Sequence, residues 1–185
     1  DRLKAGTTYS HETLARIKGG RVDSLGAVKV SAIDSIATRN LSGSLQLGAT
    51  AAVGAAVSYT LSNARVTTDV DATVIAESLL TTAQSKALKD EPAVKVESYT
   101  GAAGFGAGIG AAVSAGLVIG TGLRDSEVGV SVAADSKLSA NGINLSAQGA
   151  GALEVTTVGA AGGLLLAGTA VAALGIDSTR VTTEV

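Results

Sequence analysis

Short segments that recur in a fixed order constrain the fold of this chain more than any other feature of its sequence. Three segments occur twice: AVKV at 27–30 and 93–96, GAAVS at 54–58 and 110–114, and RVTTDV or RVTTEV at 65–70 and 180–185. Residues 142–145 (GINL) are a degenerate copy of the first segment. We infer a single segment over residues 1–185 with approximate repeats at 27–74, 93–133 and 142–185. Such units bury their apolar faces by stacking on their neighbours.

Each unit shows the same order of patterns. A short alternating strand is followed by an uncharged Gly/Ala-rich stretch, a polar turn and a second alternating strand. Alternation with a period of two and β-branched residues is typical of β-strands. In the closing strand at 65–72 we expect Val66, Val70 and Ala72 to face inward, and Arg65, Thr67, Asp69 and Asp71 to face water. The sequence predicts an all-β fold, a parallel β-helix or closely related β-solenoid.

The side chains are unusually small for a chain with this much apolar content. Aromatic residues make up 2% of the chain and hydrophobic residues 46%, and 24 residues are glycine. Stacked strands suit such a composition because they bury small aliphatic side chains in thin layers. The net charge of −2 and the scarcity of aromatic residues argue against a nucleic-acid partner. There is no cysteine, so disulfides and thiolate metal sites are excluded.

Two segments depart from the strand pattern. Residues 76–90 (AESLLTTAQSKALKD) place apolar residues at helical spacing, and Pro92 prevents continuation of a helix beyond them. We therefore expect a short helical insertion at 76–90. Residues 9–18 (YSHETLARIK) are compatible with one or two helical turns that end at Gly19 and Gly20.

The order of segments resembles the repeats of large secreted bacterial adhesins. A strand, a stretch such as GAAGFGAGIGAAVS at 101–114, a polar turn and a Val/Thr strand are found in filamentous haemagglutinin and leukotoxin-like adhesins, which use type V secretion. The resemblance covers 27–74, 101–147 and 149–185. It implies a right-handed parallel β-helix that projects from the outer membrane. The helical insertion and the scarcity of Asn depart from the family pattern, and no functional residue of the family is matched.

Candidate chemistry is sparse. His11 is the sole histidine, and with no cysteine it cannot build a structural zinc site; we read it as a surface residue. Glycine-rich segments such as 104–106 lack the acidic residue and βαβ setting of a dinucleotide site. Asp69 and Asp71 lie on one strand face and could contact Ca²⁺, although alternating surface charge explains them better. We predict no catalytic, cofactor-binding or metal-binding residue and no cofactor.

Membrane helices are the main alternative for two uncharged stretches. Residues 101–123 and 155–176 are about long enough to span a bilayer. The matching stretch of the first repeat, 45–60, is shorter, and a repeat should not span a membrane in only some of its copies. We therefore favour solenoid strands without membrane insertion.

These observations predict a structural protein and not an enzyme. We expect a stalk or adhesin segment, an internal fragment of a longer secreted protein at the bacterial cell surface. Its partners would be neighbouring coils, other copies of itself, or a host or bacterial cell-surface receptor. Two alternatives stay open: a self-associating subunit of an extracellular fibre or biofilm matrix, and a passenger segment of a secreted toxin.

Overall fold

The computed structural model describes residues 4–88, 92, 94–105, 109–120, 127–149, 153–177 and 179–185. Within these ranges the chain is all-β and contains no helix. Its strands are β1 (Lys4–Asp23), β2 (Ala27–Ile36), β3 (Thr38–Gly48), β4 (Ala51–Ala87), β5 (Val94–Gly104), β6 (Ile109–Gly120), β7 (Glu127–Val132), β8 (Lys137–Gln148), β9 (Leu153–Gly162), β10 (Leu166–Asp177) and β11 (Arg180–Glu184).

The strands form two sheets, and every pairing between the described strands is parallel. One sheet has the order β10-β6-β4-β7-β11, and β1, β2 and β8 also pair with the long strand β4. The other has the order β3-β5-β9. Each strand thus pairs with strands far from it in the sequence, which requires long connections between partners.

Paired residues of neighbouring strands form rows that run across the sheets. Each row contains one residue from each successive pass of the chain along the sheet. The rows include Glu12–Arg65–Glu127–Arg180, Val28–Leu79–Ile143, Thr38–Val94–Leu153 and Ala51–Ile109–Leu166. The predicted all-β class is confirmed, and the parallel rows are compatible with a β-helix.

The predicted helical insertion at 76–90 is wrong over the residues that the structure describes. β4 runs without interruption to Ala87, flanked by β2 on one edge and β8 on the other. The apolar residues that suggested a helix alternate between faces instead: Leu79 is 2% exposed, whereas Leu80 is 37% exposed. A helix would deprive both flanking strands of their backbone partners, and this tertiary pairing overrides local spacing.

The helical turns suggested for residues 9–18 are also wrong. The segment belongs to β1 and pairs with β4, from Tyr9 opposite Ser62 to Lys18 opposite Asp71. Gly19 and Gly20 have φ angles of 68° and 80°, which side chains disfavour. They lie where the register shifts between Lys18 and Arg21. These glycines therefore produce an irregularity within a strand and do not end a helix.

The rows show which repeated segments occupy equivalent positions. Arg65 and Arg180, which begin the RVTT copies, both lie opposite Glu127. The AVKV copies lie in different sheets, because residues 27–30 pair with 78–81 of β4, whereas Val94 pairs with Thr38 of β3. Identical letters therefore do not always mark equivalent strands.

The interior divides into two parts. The aliphatic half consists of β1 from residue 12, β2, β7, β8, β11 and residues 64–87 of β4; Val66, Val70, Val74, Leu79 and Val128 are at most 2% exposed there. The small-residue half consists of β3, β5, β6, β9, β10 and residues 51–61 of β4. It buries Ala52, Ala56, Ala102 and Ala112 together with Ser42, Ser58, Thr60, Ser98 and Thr100.

The inward assignment for residues 65–72 is confirmed, but of the four residues expected to face water only Arg65 is exposed, while Asp69 and Asp71 are half-buried. Val66, Val70 and Ala72 are buried, whereas Arg65 is exposed. Thr67 lies on the outer face but is only 6% exposed. Its row neighbours Leu14 and Gly129 belong to strands on both sides, so little of its surface reaches water.

Candidate functional surfaces

The aliphatic half carries a ladder of opposite charges on its outer face. Arg65 lies between two glutamates of the same row, with Nη1 3.9 Å from Glu12 Oε1 and Nε 3.6 Å from Glu127 Oε2. The strand pairing sets this geometry, because neighbouring parallel strands lie about 4.8 Å apart. Exposed pairs of this kind contribute little to stability individually, but they fix which strands are complementary.

A second row of the same face holds Asp69. Arg16 Nη2 lies 2.6 Å from Asp69 Oδ2, and Ser131 Oγ donates to Asp69 Oδ1 at 2.7 Å. Partial burial alone would raise the pKa of Asp69, but the hydrogen bonds from Ser131 and Arg16 outweigh it and the pKa is lowered. Asp69 is therefore bound on both sides by neighbouring strands. Asp71 lies on the same face, half-buried.

A third charged group lies where β3, β5 and β9 begin. Glu97 is 5% exposed although it faces outward. Arg39 Nη2 lies 2.6 Å from Glu97 Oε2, and Tyr99 donates its hydroxyl to Glu97 Oε1 at 3.1 Å. Lys95 Nζ lies 2.9 Å from Glu154 Oε1 and 3.6 Å from Glu97 Oε1. We call Arg39, Lys95, Glu97, Tyr99 and Glu154 the Glu97 cluster.

Electrostatics within the Glu97 cluster favour the ionised carboxylate. Burial of Glu97 opposes ionisation, but hydrogen bonds from Arg39 and Tyr99 and the nearby Lys95 charge lower its pKa. The hydrogen bond with Glu154 raises the pKa of Lys95, and the hydrogen bond to Glu97 raises the pKa of Tyr99. These groups satisfy one another, as expected of a structural ion-pair network and not of a poised acid or base.

An apolar outer surface adjoins this cluster. On β3, β5 and β9 the side chains of Leu45, Tyr99 and Val158 project around Gly43 and Gly101 and form a shallow groove. Leu45 is 69% exposed, Tyr99 39% and Val158 47%. The opposite outer surface of the small-residue half is also apolar, with Val53 68% exposed and Val113 46% exposed.

Polar side chains join the two facing layers of strands in the small-residue half, which we call its walls: β3 and β5 on one side, and β4 and β6 on the other. Asn40 donates from Nδ2 to the carbonyl of Tyr59 at 2.7 Å, Ser98 donates to the carbonyl of Ala56 at 3.1 Å, and Thr100 donates to the carbonyl of Val113 at 3.0 Å. These buried hydroxyl and amide groups bind backbone carbonyls of the facing strands. Their role is to connect the walls.

The residues weighed as candidate ligands are not brought together. His11 lies in β1 opposite Ala64, and its side chain is outside the described set. Asp69 is held by Arg16 and Ser131. Among the described residues, no three histidine, cysteine or acidic side chains form a group that would hold a metal ion. The same part of the chain contains no helix long and apolar enough to cross a membrane.

Sequence reasoning did not identify the Glu97 cluster. Its members come from three stretches of sequence, and only the pairing of Arg39 with Lys95 and of Lys95 with Glu154 brings them together. The alternation of Lys95 and Glu97 around buried Val96 is the one local signal. Comparisons with protein-family models, curated proteins and solved structures found no match to this chain.

Proposed function

We propose that this chain is a structural and adhesive segment of a secreted bacterial surface protein, folded as a parallel β-solenoid and without catalytic activity. The observation that supports the proposal most directly is the row Glu12–Arg65–Glu127–Arg180, in which successive passes of the chain align in register. Repetition of this kind supplies length and a regular outer surface, which are what a stalk or adhesin requires.

The coil geometry within this proposal follows from the two walls. Residues 51–75, the first part of β4, form one wall. The chain then returns, so that the last part of β4 (78–87) and β5 (94–104) face this wall. Thr68 Oγ1 donates to the carbonyl of Thr82 at 2.9 Å, and Ser98 Oγ donates to the carbonyl of Ala56 across the small-residue half. Each pass is then one flattened coil, and the next pass stacks on it.

Engineered cysteines test the solenoid, since the natural chain has none. Gln84 Nε2 donates to Gln148 Oε1 at 3.0 Å across neighbouring strands at the surface. The double variant Gln84→Cys with Gln148→Cys should form an intramolecular disulfide under mild oxidation, because row neighbours have the required Cα separation. Gln84→Cys with Asn144→Cys is the out-of-register control and should stay reduced. Equal crosslinking of both variants would contradict the stacking.

Adhesion is tested on the folded protein. Beads coated with the protein should bind to cultured animal cells or bacterial cells more than beads coated with an unrelated β-protein of similar charge. Binding should persist in a metal chelator, since the proposed surface uses no metal. Absence of binding to every cell type tried would leave a purely structural stalk.

A self-associating fibre subunit is the second candidate function. Large apolar side chains are exposed on both outer faces of the small-residue half, including Leu45, Val53, Val113, Val158 and Leu174. Exposed apolar surface on flat strands favours association between copies. This candidate requires a defined contact between molecules.

A further inference from the structure

The outer face of the wall formed by β4 and β6 carries large and small side chains in a checkerboard. Alternate residues of both strands fill the interior, and the residues between them point outward. In three neighbouring outward rows, Val53 pairs with Ala111, Ala55 with Val113, and Val57 with Ala115. Valine therefore lies next to alanine both along each strand and across the pair. We call these six residues the Val113 face.

Strands added at either edge of the sheet do not cover this face. Val113 already lies between Ala55 and Ala170 in its row, yet 46% of its surface is exposed. Val57 also has a row neighbour on each side and is 39% exposed. The exposure is therefore a property of the side of the sheet and not of its edges.

A checkerboard of this kind fits a second copy of itself. Consider a two-fold axis in the plane of contact that is parallel to the strands and lies midway between β4 and β6. Rotation about it places each position of β4 over the β6 position of the same row in the second copy. Val53 then meets Ala111, and Val113 meets Ala55. Every valine of the face lies over an alanine, so the two surfaces interdigitate as the facing layers of packed sheets do.

A charged row next to this face selects the strand direction, since a checkerboard also fits its copy when the strands are antiparallel. Arg65 pairs with Glu127 of β7, which lies on the same side of β4 as β6 does. With parallel strands the same axis places Arg65 of each copy opposite Glu127 of the other. Their side chains are 53% and 29% exposed and so remain accessible. With antiparallel strands the two charged rows would lie at opposite ends of the contact.

We propose that the Val113 face binds the same face of a second copy of this chain, with parallel strands and with Arg65 opposite Glu127 in both directions. From residue 51 to residue 65 the contact is about 50 Å long and about 15 Å wide, roughly 700 Å² per copy, close to the ~800 Å² of a standard interface. The rotation reverses the order of the coils, so the two solenoids run in opposite directions. The contact closes at two molecules and does not by itself build a fibre. The inference rests on the solenoid proposal.

One substitution made on both outer faces tests the location of the contact by sedimentation velocity. The wild-type protein should change from monomer to dimer as its concentration rises. Val113→Lys should raise the dissociation constant at least about tenfold, because it places an ammonium group against an apolar surface. Val158→Lys is the matched control, since Val158 is 47% exposed on the opposite outer face, and it should leave dimerisation unchanged. Below the concentration of association, both variants should unfold at the same urea concentration as wild type.

An exchange of large and small side chains tests the register of the contact without adding charge. Ala55→Val places two valines opposite each other, and Val113→Ala leaves two alanines opposite each other. Each change should weaken dimerisation by itself. The double variant restores one valine over one alanine and should dimerise about as well as wild type. A surface that associates only through its hydrophobicity would not show this recovery.

A charge exchange tests the orientation of the strands. Arg65→Glu places two glutamates opposite each other between the copies and should weaken dimerisation. Arg65→Glu combined with Glu127→Arg restores opposite charges and should recover it. Lys29→Glu changes the net charge as Arg65→Glu does, but at an exposed position of β2 in the opposite wall, and should have no effect. Circular dichroism shows whether each variant keeps its strand content.

Three results would overturn the inference: a wild-type protein that stays monomeric throughout, equal effects of Val113→Lys and Val158→Lys, or no recovery in the two double variants. The solenoid proposal fails in a different experiment. A monomer whose Gln84→Cys and Gln148→Cys pair still crosslinks would keep the solenoid and remove the contact between copies.

Discussion

The two halves of the molecule differ in which face of their strands carries most of the large apolar side chains. In the aliphatic half, Val66 and Val70 fill the interior and charged residues such as Arg65 and Asp69 line the outer face. In the small-residue half, alanine, serine and threonine fill most of the interior, with Val94 and Val96 buried at the start of β5, while residues such as Leu45 and Val53 project outward. Both halves alternate with a period of two, so alternation specifies a strand but not which face carries the larger side chains.

The short distance between the two walls of the small-residue half explains why its inner face carries mostly small side chains. In the small-residue half the walls approach so closely that a Cβ on Gly54 would lie 2.7 Å from the carbonyl oxygen of Gly101. A leucine cannot fit beside Gly54, so at this level of the half the larger side chains lie on the other face. Hydrogen bonds from Ser98 and Thr100 to carbonyls of the facing strands join the two walls of this half.

The largest expected effect comes from the same substitution made in both halves. Val70 is 1% exposed, so Val70→Asp would bury an unpaired carboxylate and should cost several kcal/mol or prevent folding. Val53 is 68% exposed, and Val53→Asp should change the free energy of unfolding by less than about 0.5 kcal/mol. Urea denaturation measures both. Similar losses for the two variants would mean that the outer face of the small-residue half is buried.

Local sequence supported the strands but not their partners. The β-branched alternation at 65–72 correctly placed Val66 and Val70 inside. It did not show that Thr67 is covered, because that depends on Leu14 and Gly129 of adjacent strands. The error at 76–90 has the same origin: adjacent Leu79 and Leu80 satisfy helical spacing equally well, and only pairing with β2 and β8 makes the segment a strand.

The candidate surfaces depended even more on register. The RVTT copies marked equivalent positions, and the predicted repeat at 93–133 lies between them in the sequence, but only the strand pairing shows that Glu127 lies opposite both Arg65 and Arg180. The Glu97 cluster likewise needs Arg39, Lys95 and Glu154 from three strands. A shift of one residue in a strand reverses every side chain, so these clusters cannot be deduced without the pairing itself.

An intermediate effect is expected from closing the narrow space between the walls. Gly54→Ala would force the backbone near Gly101 to move, and we expect a loss of about 1–3 kcal/mol, the usual cost of overpacking. Gly168 also lies in a strand of this half but has no atom within 4 Å of an added Cβ. Gly168→Ala should be neutral or slightly stabilising because it restricts the unfolded chain. If Gly54→Ala were equally harmless, the walls would be farther apart than the hydrogen bonds of Ser98 and Thr100 require.

The smallest effect concerns the Glu97 cluster, at the start of β3, β5 and β9, and depends on pH. Since the pKa of Glu97 is lowered in the folded protein, its ionised form stabilises the fold at neutral pH, and this contribution is lost as the pH falls through that lowered pKa. Arg39→Gln removes the main partner of a nearly buried carboxylate, and we expect a loss of about 1–2 kcal/mol at neutral pH. The difference from wild type should shrink below about pH 4, where unfolded glutamates also bind protons.

Arg21→Gln is the matched control, because the Arg21–Asp23 pair is more than half exposed on both sides and should contribute little at any pH. Thermal unfolding followed by circular dichroism between acid and neutral pH distinguishes the two variants. If the loss of stability from Arg39→Gln stayed constant down to acid pH, packing of the Arg39 side chain, and not the charge of Glu97, would account for its contribution to stability.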